Sequence, residues 1–108
     1  MRVSFRKQSL EDVERQFRYY LMDLGLPAVA MRFRDAVKRT VDELRQRPLS
    51  APRFSSGKPQ LHNLRSWPVA GFRAIRIYFE VTSGQVRVVR VLHGKRNVRR
   101  ILEGEDLA

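Results

Sequence analysis

The run FRAIRIYFEVTSGQVRVVRVLH, residues 72–93, decides the fold. Both halves are rich in β-branched and aromatic residues, and TSGQ at 82–85 separates them. That pattern predicts strands over 72–81 and 85–93 joined by a two-residue hairpin turn at Ser83 and Gly84. Pairing outward from this turn opposes Val81 with Val86, Phe79 with Val88, Ile77 with Arg90 and Ile75 with Leu92. The other face opposes Glu80 with Arg87, Tyr78 with Val89 and Arg76 with Val91. The first face is the apolar one and is expected to meet helices. Arg90 falls on it and therefore needs a carboxylate, carbonyls or an exit to an edge, because an unpaired buried charge is very costly. A Glu80–Arg87 cross-strand pair contributes only about 0.2–1 kcal/mol.

Upstream of the hairpin, LHNLRSWPV (61–69) reads as a further strand, and PLSAPRFSSGKP (48–59) reads as a loop. The N-terminal run RVSFR (2–6) alternates and predicts a short strand with Val3 and Phe5 inward. Ser9 is placed to cap a helix over 10–24, with Leu10, Val13, Phe17, Leu21 and Leu24 as its stripe. Gly25 stops that helix and Pro27 opens the next, which runs to Arg47 with Val29, Phe33, Ala36, Val37, Thr40, Val41 and Leu44 inward. Downstream, KRNVRRIL allows one more helical turn through Val98, Ile101 and Leu102. The expected fold is α+β: an N-terminal strand, then an antiparallel helical hairpin on a twisted, mainly antiparallel sheet with three C-terminal strands. In order it is β-α-α-β-β-β, one domain over 1–102 followed by a short acidic tail at 103–108.

Composition narrows the function. With 108 residues and 43% hydrophobic content the chain suits one cored domain. It has no cysteine, which removes disulfides, thiolate metal sites and a Cys nucleophile and fits a reducing cytoplasm. No long apolar run or hydrophobic N-terminal segment is present, so no membrane association and no cleaved export signal are expected. Net charge is +11, unevenly spread: residues 53–102 hold 11 basic residues and a single acid, Glu80. Such a field favours a polyanionic partner. The excess of Arg over Lys favours forked contacts to carboxylate or phosphate.

The chemistry-bearing residues form two basic groups. One is Arg90, His93, Lys95, Arg96, Arg99 and Arg100 at the end of the last strand. The other is Arg53, Lys58, His62 and Arg65, with Trp67 beside them. Carboxylate clusters, nucleophile elbows and phosphate-cradling glycine loops are missing, so no metal and no cofactor are expected. Glu11, Asp12 and Glu14 read as helix-start charges. Metal-free RNA cleavage needs a base, an acid and cations, which His93, Arg96, Arg90 and Lys95 supply in principle. For His93 the plainer reading is a strand-end hydrogen bond to backbone, and for Trp67 and Phe72 it is packing.

Over residues 64–102 the sequence resembles the RelE/ParE toxins of type II toxin–antitoxin systems. Leu64-Arg65, Pro68-Val69, Gly71-Phe72 and Arg90 through Gly94 with Arg96 resemble the ParE branch, with its "LR…PV.GF" strand and "RVLHG.R" strand end. The resemblance implies a cytoplasmic, growth-inhibiting toxin of the plasmid-stabilisation type, held in a hetero-oligomer by a cognate antitoxin. ParE-like action implies binding to DNA gyrase without catalysis. RelE-like action, the alternative, implies ribosome-dependent cleavage of mRNA. No Tyr follows Tyr78, which favours the gyrase branch. The implied target-binding residues are Arg65, Trp67, Arg76, Arg90, His93, Lys95 and Arg96. The implied antitoxin-binding residues are Phe17, Tyr20, Arg73, Arg99 and Arg100. Two positions depart from the pattern: Asn97, where an Asp commonly stands, and Ile75, where an aromatic is usual. A third reading, a basic nucleic-acid binder without toxicity, rests on charge alone.

Overall fold

The structure, a computed structural model, describes residues 1–105. Asp106 to Ala108, the end of the expected acidic tail, lie outside the described residues. Strands β3 (Phe72–Thr82) and β4 (Gln85–His93) form the expected hairpin. Ser83 and Gly84 have φ of 46° and 75°, the left-handed pair that a tight hairpin turn following the strand twist requires. Glu80 pairs with Arg87 at 3.3 Å.

The register follows expectation through Phe79–Val88 and then slips. Val89 is an extra residue, so Tyr78 opposes Arg90, Ile77 opposes Val91, Arg76 opposes Leu92 and Ile75 opposes His93. Strict alternation would put Val88 and Val91, three positions apart, on opposite faces and Arg90 on the face of Val88. The bulge instead sends Val88 and Val91 to one core and Val89 and Leu92 to the other. Arg90 consequently leaves the helix-facing position that strict pairing assigns to it.

The sheet order is β1-β4-β3-β2, with β2 spanning Arg65–Val69. The second strand thus begins at Arg65, not at residue 61. Strand β1 (Arg2–Phe5) runs parallel to β4 and pairs only as far as Phe5–Val88. The chain then turns into α1 (Lys7–Arg18), with the Arg6 N–H donating to the Val88 carbonyl at 2.9 Å. Beyond that point the β4 edge has no strand neighbour.

Ser9 does not cap this helix from outside. It lies within the first turn, fully buried, with its hydroxyl donating to the Arg6 carbonyl at 2.6 Å. Helix α1 ends in a wide turn over Tyr19–Asp23, which rotates the following side chains away from the core. For this reason Leu21 and Leu24, expected inward, are exposed; Leu10, on the outer side of the first turns, is exposed as well. Gly25 at φ 63° and Pro27 then start α2 (Pro27–Gln46). Its inward stripe is as expected, with Ala30 added and Val29 half-buried. Thr40 ties helix to sheet: its hydroxyl donates to the Ala36 carbonyl and accepts from the Ala70 N–H at 3.1 Å.

A second core covers the other face of the sheet. Leu61, Leu64 and Leu102 pack with Tyr78, Val89 and Leu92, with Phe54 edge-on to Tyr78. Leu102 belongs to α3 (Val98–Glu103), whose first turn Asn97 caps by accepting from the Arg100 N–H. The sheet is therefore buried on both sides. Its exposed cations lie at its rim.

Candidate functional site

The open edge of β4 is closed by a carboxylate. Asp12 of α1 is 3% exposed and accepts from the Val91 N–H at 3.0 Å, standing where a neighbouring strand's carbonyl would. The same carboxylate takes the Arg90 guanidinium in a fork, 2.7 Å from Nε and 2.8 Å from Nη2. Glu105 accepts from Arg90 Nη1 and lies 3.7 Å from Arg6. The hydrogen bonds that Arg90 donates to Asp12, and secondarily to Glu105, hold its pKa above the ordinary value although burial opposes them. Arg90 is thus occupied by two carboxylates. Asp12, read from sequence as a helix-start charge, is the missed residue of this network, and Glu105 of the expected tail is folded against it.

His93 ends β4 in a tight turn. Its Nδ1 accepts from the Lys95 N–H at 3.0 Å, its carbonyl accepts from the Arg96 N–H, and the Gly94 N–H donates to the Ala74 carbonyl at 2.7 Å. A Cβ on Gly94 would stand 3.4 Å from that carbonyl, at the edge of ordinary contact. With Nδ1 as acceptor, the neutral imidazole carries its proton on Nε2. Lys95 and Arg96 are exposed beside it. Arg73, one residue before Ala74, is brought to the same end, and Arg99 and Arg100 follow on α3.

The candidates on β2 and β3 separate. Arg65 donates to the carbonyls of Ala51 at 2.6 Å and Leu49 at 3.2 Å, clamping the loop to the sheet edge. Arg76 donates to the Ser66 hydroxyl at 2.9 Å. Trp67 is 41% exposed and borders a shallow recess with Glu43, Arg47 and Ser50. It opposes Ile77, on the helix-facing side, away from α3. The structure therefore brings His93, Lys95, Arg96 and Arg73 to one end with Arg99 and Arg100 on the following helix, leaves Arg76 one step inward opposite Leu92 and bound to Ser66, and places Arg65 and Trp67 elsewhere. Phe17 is half-buried beneath the Arg34 guanidinium, 3.8 Å from the ring centroid, and Tyr20 packs between Phe33 and Phe72. Burial raises the Tyr20 and Tyr78 pKa values. No group of three metal-ligating side chains occurs among the described residues, and no described helix is long and apolar enough to cross a membrane.

The sequence model of the family described as "ParE toxin of type II toxin-antitoxin system, parDE" matches residues 3–98. The chain belongs to the ParE toxin family. A solved structure described as "Chromosomal ParDE TA system from P. aeruginosa" superposes on this ParE-family chain with a TM-score of 0.70 at 16% identity, covering 86% of this chain and 95% of that one. That likeness is one of fold. No curated protein matches the sequence. The strand–helix–helix–sheet order expected from the sequence is thus the ParE toxin architecture.

Proposed function

We propose that this ParE-family toxin arrests growth in the bacterial cytoplasm by binding DNA gyrase, without catalysis, and that a cognate antitoxin neutralises it. One observation supports binding over catalysis: the residues fit for acid–base work near the basic end are spent on structure. Arg90 neutralises Asp12 and Glu105, Tyr78 is 3% exposed, and His93 holds a backbone turn. Target binding then falls to Lys95 and Arg96, with Trp67 as a separate apolar contact. The antitoxin's place is the helical hairpin, where Tyr19, Leu21, Met22, Leu24 and Met31 are exposed. An antitoxin segment with apolar and acidic residues fits that surface and reaches Arg73, Arg99 and Arg100.

Purified protein added to a gyrase supercoiling assay is the test. Loss of supercoiling with accumulation of cleaved DNA is expected; undiminished supercoiling with no trapped DNA contradicts the proposal. One feature favours the ribonuclease alternative. His93 uses only Nδ1 in the turn, which leaves Nε2 without a hydrogen bond among the described residues, and exposed Lys95 and Arg96 follow it in the chain.

A further inference from the structure

Exposed apolar and exposed cationic side chains are segregated on this molecule. Every exposed large hydrophobic among the described residues lies within residues 1–49, apart from Trp67. The end of the sheet formed by Arg73, Lys95, Arg96 and α3 has none. Arg73, Lys95, Arg96 and Arg100 are exposed and have no carboxylate partner among the described residues, while Arg99 has a long 3.9 Å contact to Glu103. The other nearby acid, Glu105, is held by Arg90 and Arg6.

Protein-binding surfaces centre on buried aromatic and aliphatic anchors. Single-stranded nucleic acid is held by aromatic side chains on which bases stack. Among the described residues this end exposes no large apolar anchor, and its nearest rings are committed: His93 is tied into the turn through Nδ1, and half-buried Phe54 packs edge-on to Tyr78. What it offers is a group of cations, mostly arginines, on rigid backbone: the Gly94–Ala74 hydrogen bond fixes the turn, and Leu102 anchors α3 in the second core. Arginine forks and lysine point charges in this arrangement suit phosphate oxygens along a duplex.

We propose that this end of the chain is a binding surface for the phosphate backbone of duplex DNA, independent of base sequence. The assignment shares Lys95 and Arg96 with the proposed gyrase contact, but duplex binding is read without gyrase, so the failure of one reading is distinguishable from the failure of the other. An acidic antitoxin segment covering Arg73, Arg99 and Arg100 would compete with DNA for the same cations.

The test is fluorescence anisotropy of the full chain with a labelled duplex of about 20 base pairs, from about 50 to 300 mM NaCl. Each phosphate contact contributes about −0.9 to the slope of log affinity against log salt. Lys95→Ala/Arg96→Ala/Arg100→Ala is expected to reduce the slope by about 2 to 3, whereas Arg32→Ala/Lys38→Ala/Arg39→Ala, removing the same charge from exposed α2 positions, changes it by less than about 1. Unchanged thermal unfolding midpoints certify that both variants fold. Equal losses in the two variants, no duplex binding at low salt, or tighter binding of single-stranded RNA of the same length would overturn the proposal.

Discussion

Arg90 shows how far a single residue can be read from sequence. Its place in an apolar strand required a carboxylate, carbonyls or an exit to an edge, and the structure supplies the carboxylates of Asp12, 78 positions away, and Glu105. Nothing local marks Asp12 as the partner, since a carboxylate in a first helical turn has a sufficient local explanation in the helix dipole. Asp12 also satisfies the Val91 N–H, so its removal strands a buried cation and an amide together. Asp12→Ala is expected to cost about 3–5 kcal/mol in urea unfolding. A loss below about 1 kcal/mol would show that the network is dispensable. Tyr78 gives a pH test. Burial raises its pKa above 10.0 in the folded state, so its contribution is complete below pH 10.0 and is lost as pH rises toward the folded value. Tyr78→Phe, which cannot ionise, should lose less stability above pH 10 than the parent; parallel losses would contradict this assignment.

At the level of elements, the helices and hairpin were legible because their patterns are long and their stop signals explicit. Gly25, Pro27 and the Ser83-Gly84 turn all sit where expected. The missed features came from interruptions of a period. The bulge at Val89 shifts the register of β4 and moves Arg90 off the helix-facing side, and the wide turn at Tyr19–Asp23 turns a regular stripe outward. The second core escaped notice because its parts are dispersed: Leu61 and Leu64 fall in a run read as strand, Phe54 in a stretch read as loop and Leu102 in a single helical turn. Ser83 occupies φ 46°, which Asn adopts more readily, so Ser83→Asn should raise stability by roughly 0.5 kcal/mol in thermal unfolding. A fall would mean the turn's hydroxyl has a role beyond geometry. Leu102 is fully buried and fastens α3 to the sheet. Leu102→Ala is expected to cost about 2–5 kcal/mol, read as a lower urea midpoint; an unchanged midpoint would deny the second core.

Across the whole molecule, the charge asymmetry seen in composition becomes a division of surfaces. Apolar side chains are exposed on the helical hairpin, and cations that mostly lack a carboxylate partner among the described residues gather where β4 meets α3. Sequence predicted the cations at that edge but grouped Arg90 with them, since it could not show which arginines already had carboxylates. Arg65 and Arg76 were likewise indistinguishable in sequence from free cations until their loop and Ser66 contacts were seen. The family followed from the strand-end motif, whereas the division into structural and available cations needed coordinates. The central claim is that the toxin works by binding. His93→Asn tests it most directly, because the Asn carbonyl oxygen can replace Nδ1 as acceptor for the Lys95 N–H while removing the imidazole. Growth arrest on induction of His93→Asn should match that of the parent at equal protein levels; abolished arrest by a folded His93→Asn protein would contradict the account.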